Sequence, residues 1–136
     1  MENHNKTLAQ VAIEKSDKAI RDADVNIDVS LPVAQNRAYY AVFYIVLALS
    51  YLDNFITKSH HKLMGQFNKK YVYQNRIFDK SLVQIYNTLI INRESSDYNL
   101  TYKQNKEEVL WGIESAKKFI NTVKPYVIKR INELEK

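Results

Sequence analysis

Two glycines and two prolines among 136 residues leave this chain few places to reverse direction. Tight turns and hairpins draw on both residue types, so a few long helices are favoured over many short strands. The length suits one domain, spanning 1–136, with a core of its own. With no cysteine there is no disulfide framework, thiolate metal site or cysteine nucleophile. A hydrophobic share of 46% against 26% charged residues is that of a globular domain, not a disordered segment.

Apolar periodicity places the helices. From Thr7 to about Asp24, residues Leu8, Val11, Ala12, Ala19 and Ile20 recur near helical spacing among charged residues, predicting an amphipathic first helix. Ser30, two residues before Pro32, marks the next helix start, because proline fits a first turn. The second helix is predicted from Pro32 to about Phe55. Beyond Ala38 it is apolar on nearly every face, so its own bundle, or a second subunit as well, must cover it. Residues 59–71 predict a third helix with Leu63, Met64, Phe67 and Tyr71 on one stripe, weakened by Gly65. After a connection at 75–79, a fourth helix runs from about Lys80 to Arg93 on a core face of Leu82, Ile85, Tyr86, Leu89 and Ile90. RESSDYNLTYKQN reads as a loop. The last helix begins near Lys103, packs through Val109, Ile113, Ala116, Phe119 and Ile120, with Trp111 also read as packing, and is kinked or interrupted at Pro125. The expected class is all-α, a bundle of about five helices with a core at 7–123 and a short helical extension at 125–136.

The run Ala38 to Leu49 falls short of the roughly 20 residues a bilayer helix needs, and MENHNKTLAQ is polar, so a soluble cytoplasmic protein without membrane contact is expected. Asn-x-Ser/Thr matches at Asn5 and Asn99 are then chance. The net charge of +5 is local. Residues 58–80 hold Lys58, Lys62, Lys69, Lys70, Arg76 and Lys80 against Asp79 alone; removing them from the 20 basic and 15 acidic residues leaves 14 of each. The same stretch interleaves Phe67, Tyr71, Tyr73 and Phe78, and cations beside aromatic platforms suit single-stranded RNA or a nucleotide. A solvated charged face is the plainer alternative.

The strings NRAYYAVF (36–43), SHHKLMGQF (59–67), RESSDY (93–98) and KEEVLWGIESAKKFI (106–120) together resemble the HEPN family, the higher eukaryotes and prokaryotes nucleotide-binding domain, above all its small stand-alone prokaryotic members. The likeness covers roughly 7–123. It implies an up-and-down bundle that commonly forms a homodimer, often encoded beside a small nucleotidyltransferase in toxin–antitoxin or defence modules. It also implies RNA or nucleotides as ligands and, for many members, metal-independent endoribonuclease activity. The site so implied is an Arg and a His with four to six residues between them, supplied by both subunits. On this chain the arginine falls at Arg37 and the histidine position at Tyr44; the histidines present are His4, His60 and His61. RNA cleavage needs a proton acceptor near neutrality, and tyrosine, with an ordinary pKa of about 10, is a poor one.

Seven residues make nearly two helical turns, about 700° at 100° per residue, which puts Arg37, Tyr40 and Tyr44 in one row. A guanidinium can hold a phosphate there while a ring stacks on a base. The expected catalytic set is Arg37, Tyr44 and His61, with Asn36, Tyr40, Lys58, Lys62 and Asp97 contacting RNA or nucleotide, and with no metal and no cofactor. His60 and His61 diverge by about 100° on a helix, so one at most faces this row. Plainer readings stay open: Arg37 paired structurally with Asp97, Tyr44 as a core tyrosine, His61 as a surface residue. So does a different class of function, a non-catalytic helical partner of a nucleotidyltransferase, with a tyrosine as a target for nucleotidylation.

Overall fold

A computed structural model describes residues 2–134, so Met1 and residues 135 and 136 of the expected domain lie outside it. The elements are α1 (Glu2–Asn26), α2 (Leu31–Leu52), α3 (His60–Phe67), a π-helical segment (Asn68–Gln74), α4 (Ser81–Tyr98) and α5 (Lys106–Leu134). Among the described residues there is no strand, and the five α-helices form an all-α bundle. No described helix is long and apolar enough to cross a membrane.

Helix α2 is the axis of the bundle and packs on α1, α3, α4 and α5. Its start is built as the sequence predicts: Ser30 caps it, accepting from the Val33 N–H at 3.3 Å, with Pro32 in the first turn. Ala34, Ala38, Ala41 and Ala48 are buried at 0%, which lets neighbouring backbones approach closely. The helix ends at Leu52, short of Phe55, where Asn54 takes the left-handed conformation (φ 56) after the Asp53 cap.

Helix α1 meets α2 through Ala9, Ala12, Ser16, Ala19 and Ala23, and the Ser16 hydroxyl donates to the Ala41 carbonyl at 2.7 Å. This face is rotated from the expected one: Val11 is exposed, and Leu8 and Ile20 lie at its flanks. The third predicted helix divides into α3, capped by Ser59 on the Lys62 N–H (3.1 Å), and the wider π-helical turn that buries Tyr71 and Val72.

Two further boundaries differ. RESSDY is helical, since α4 runs through Tyr98 on the five core residues expected of it. Helix α5 continues through Pro125, whose missing N–H would have served the carbonyl of exposed Asn121. Val127 and Ile131 are buried, so the C-terminal extension belongs to the core. Trp111 is a further correction: it is 44% exposed, while Gly112 beside it lets α4 approach, a Cβ there lying 3.3 Å from Leu89 Cδ2.

Candidate functional site

The second to fourth turns of α2, the start of α3 and the last turns of α4 converge on one cluster. Leu63 and Phe67 anchor α3 in the core, and His60, three residues before Leu63, falls on the same face. Its ring stacks on Phe43 (centroids 4.4 Å, 14°) and lies 5.8 Å from Tyr39. From α4, Arg93 reaches across: its guanidinium lies 5.0 Å from the Tyr39 ring centre and 5.8 Å from that of Tyr40, and Nη1 donates to the Tyr40 hydroxyl at 3.2 Å. Arg37 covers Tyr40 from its own helix at 5.0 Å. Two guanidiniums thus approach a single tyrosine ring.

The proton on His60 can be placed from its neighbours. Nδ1 sits 2.6 Å from the Tyr39 hydroxyl and 3.4 Å from Arg93 Nη1. Arginine only donates, and burial pushes the Tyr39 hydroxyl far above its ordinary pKa, so that group keeps its proton. Nδ1 is therefore the acceptor. Burial first, then the charge of Arg93 and the adjacent His61, hold His60 below its ordinary pKa. The ring is neutral at neutral pH with its proton on Nε2, a hydrogen-bond donor for an anion.

Each residue expected at the site has a definite place. Arg37 donates through Nε and Nη2 to Asn36 Oδ1 at 3.1 and 2.7 Å and has no acidic partner among the described residues. Asp97 pairs with Arg93 instead, at 3.6 Å, because positions 93 and 97 are one helical turn apart on α4. That distance is too long for a hydrogen bond, and Arg93 Nε is buried without one. Tyr40 and Tyr44 continue the row from Arg37, their centroids 5.8 Å apart, with Lys15 Nζ 5.7 Å from the Tyr44 ring centre. His61 points away from the row: it is exposed, and its Nε2 meets Glu94 Oε2 at 2.8 Å. Lys58 and Lys62 are exposed and unpaired among the described residues.

Beside Asn36 and Arg93 opens a cavity of ≈ 200 Å³, walled also by Pro32, Gln35, Ser96 and Asp97. Its wall is fixed by polar links from the 99–105 loop: Gln35 Nε2 donates to the Tyr102 hydroxyl (3.1 Å), and Gln104 Nε2 to Ser96 Oγ (2.7 Å). No group of three or more His, Cys, Asp or Glu among the described residues is placed to hold a metal ion.

A model of the HEPN domain matches residues 9–126. The chain belongs to the HEPN family. It is 30% identical over 132 residues, covering 96% of this chain and 88% of the relative, to a Methanocaldococcus jannaschii protein named "Putative toxin MJ0142". It is 29% identical over 94 residues, covering 69% and 70% respectively, to a "UPF0332 protein" of Thermotoga maritima. In this HEPN chain Arg93, His60 and Tyr39 are the members of the cluster that no candidate list from the sequence contained. Arg93 stands in the sequence at the end of the predicted fourth helix and in the motif RESSDY with no site role assigned to it, and of the two histidines the sequence reading favours His61. The register of Leu63 and Phe67 was the available signal, since it favours position 60 over 61 for the inner face.

Proposed function

We propose that this HEPN protein binds RNA or nucleotide phosphate at the cluster of Arg37, Tyr40, Arg93 and His60, as a component of a toxin–antitoxin or defence module. The observation that carries the reading is the pair of guanidiniums about Tyr40, beside an imidazole whose buried nitrogen is already bonded. Such a set offers charge for a phosphate, a ring edge or face for a base, and an Nε2–H to a non-bridging oxygen. The relative named as a toxin supports the setting.

The catalytic form of this reading is an endoribonuclease acting without metal. His61 is its base, and because its ring turns from the Arg37 row toward Glu94, the 2′-hydroxyl must lie on the Glu94 side of the phosphate. Glu94 accepts from Nε2, which leaves the Nδ1 lone pair to take the 2′-hydroxyl proton. The 2′ oxygen then attacks phosphorus, the bond to the 5′ oxygen breaks, and that oxygen takes a proton from water while the hydroxide so formed removes the proton held by His61, giving a 2′,3′-cyclic phosphate and a 5′-hydroxyl. Arg37 and Arg93 stabilise the five-coordinate phosphate. The half-buried α2 row of Tyr40, Phe43, Tyr44, Leu47 and Tyr51 is the surface on which two copies meet in a homodimer.

Labelled single-stranded and structured RNA incubated in EDTA with wild type, Arg37→Ala, Arg93→Gln and His61→Ala tests both levels. The expected result is cleavage to cyclic-phosphate ends that each substitution reduces by about 100-fold or more. Intact RNA with retained, Arg37-dependent binding would discard the nuclease and keep the binding site. Neither cleavage nor binding would favour a second reading, a non-catalytic helical partner docked on a nucleotidyltransferase. The observation on its side is Tyr44, whose hydroxyl makes no hydrogen bond among the described residues at the position the family gives to histidine.

A further inference from the structure

The excess positive charge of the molecule lies mostly outside the cluster just described, and the fold gathers part of it around one open hollow. Tyr73, Arg76, Ile77, Asp79 and Lys80 line a depression of ≈ 610 Å³ where the π-helical segment turns back toward α4. Tyr73 is 55% exposed, an aromatic face left in solvent while its neighbours Tyr71 and Phe78 are buried. Lys69, one helical turn before Tyr73, is exposed as well. Arg76, Lys80 and Lys69 form no ion pair among the described residues.

The one acid of the hollow, Asp79, pairs with none of them among the described residues, so three cations face one carboxylate. Asp79 Oδ2 accepts from the Ser81 N–H at 2.9 Å, fixing the first turn of α4. That bond, the hydroxyl of Ser81 and, after them, nearby Lys118 hold the Asp79 carboxyl below its ordinary pKa. Its role is local and structural, and Lys118 adds a further cation at the rim.

Arg76 is the telling residue. Its backbone is left-handed, at φ 51, where glycine or asparagine is the cheaper occupant. The reversal needs that conformation, because the N–H groups of Ile77 and Phe78 both return to the Tyr71 carbonyl, at 2.9 and 3.0 Å. The conformation explains a glycine here. It does not explain an exposed, unpaired guanidinium.

We propose that this hollow is a second contact site for single-stranded RNA, with a base stacked on Tyr73 and the flanking phosphates held by Arg76, Lys80 and Lys69. It rests on the RNA reading above and extends it: the strand that reaches the Arg37 cluster is gripped at a separate place by contacts that carry no base sequence. An unpaired strand is required because a stacked duplex does not offer a base face to Tyr73.

Fluorescence anisotropy with labelled 2′-O-methyl oligouridylate, which lacks the attacking hydroxyl and so survives, tests this against a duplex of equal length and against polyglutamate. Arg76→Gly is the decisive variant, since it removes the cation while relieving the backbone. It is expected to melt no lower than wild type yet bind more weakly, with the salt dependence reduced by about one released ion. Tyr73→Ala is expected to lower single-strand affinity about tenfold and leave duplex affinity unchanged. Arg37→Ala should keep the Tyr73 effect. Wild-type affinity in both Arg76→Gly and Tyr73→Ala would overturn the site, and would leave the Arg37 cluster standing if Arg37→Ala alone lost binding. Equal binding of duplex or polyglutamate would overturn it as well, as mere attraction of polyanions. So would absence of wild-type binding at low salt, whatever the cleavage assay shows.

Discussion

At Tyr86 a hydroxyl is fully buried, its ring between Phe67 and Phe119, with no hydrogen-bond partner among the described residues. Burial drives its pKa well above the ordinary value, so it stays a neutral, unpaired O–H. Tyr86→Phe keeps the ring and removes the orphan, and should raise the unfolding free energy by about 1–2 kcal/mol in urea titration. A loss instead would mean that the hydroxyl is bonded. His60 sets a different test, because its environment includes Arg93 and Glu94 from α4, Tyr39 and Tyr40 from α2, and His61 on its own helix. Its folded pKa is lowered, so its contribution to stability is complete above about pH 6.5, the unfolded value, and is lost as pH falls through the folded one. His60→Asn supplies a non-titrating acceptor to Tyr39, and its melting temperature between about pH 7.5 and 5 should fall less steeply than that of wild type. Equal slopes would assign the acid sensitivity elsewhere. At this scale the sequence shows which residue types a phosphate site needs. It does not show which of two adjacent histidines turns inward, nor that Arg93, 56 positions from Arg37 in the chain, shares Tyr40 with it, because both depend on how α3 and α4 dock.

Among the elements, α4 and α5 were legible because their buried faces are made of large residues at regular spacing, Leu82 to Ile90 and Val109 to Ile120. Helix α1 was legible as a helix and misread in rotation. Large side chains dominate a periodicity argument, whereas the observed seam steps by three and four through Ala9, Ala12, Ser16, Ala19 and Ala23. Small residues there let α1 lie close on the alanines of α2, so the apolar bulk of Leu8, Val11 and Ile20 is left at the flanks. Ala19→Leu, at 1% exposure, should therefore overpack the seam and cost about 1–3 kcal/mol, while Val11→Ala on the outer face stays within about 0.5 kcal/mol. Denaturant midpoints at unchanged slope would check both; a harmless Ala19→Leu would show that the seam has slack. The end of α4 was misread for a related reason. Ser, Asp and Asn in RESSDY suggest a loop, but the Arg93–Asp97 pair spans one turn and Gln104 bonds Ser96, so tertiary contacts carry the helix on to Tyr98.

Across the whole molecule, the bundle is closed at one end by charges and not by apolar contact alone. Asp53, at the end of α2 with its side chain 5% exposed, receives Arg130 Nη1 at 2.8 Å, Lys70 Nζ at 3.1 Å and the Tyr71 hydroxyl at 2.5 Å. Three stretches distant in the chain meet there: the end of α2, the π-helical segment, and α5 beyond Pro125. This is why Pro125 does not separate an appendage from the domain, since Val127 and Ile131 on the near side and Arg130 at the rim fasten the last turns to the core. Burial and the Asp53 hydrogen bond raise the Tyr71 pKa far above its ordinary range, so this hydroxyl keeps its proton and donates it to Asp53 at neutral pH. Arg130→Met removes the closest cation and leaves Asp53 with Lys70 and Tyr71. The cost should be about 2–3 kcal/mol, below the 3–5 of a fully abandoned buried charge because two donors remain. Asp53→Asn in the same chain should recover part of that loss, because the uncompensated charge is then gone. A double-mutant cycle in urea measures the coupling directly. Additive losses would show that Arg130 acts by packing its stem alone, and that the extension is held by Val127 and Ile131 without the ionic clamp.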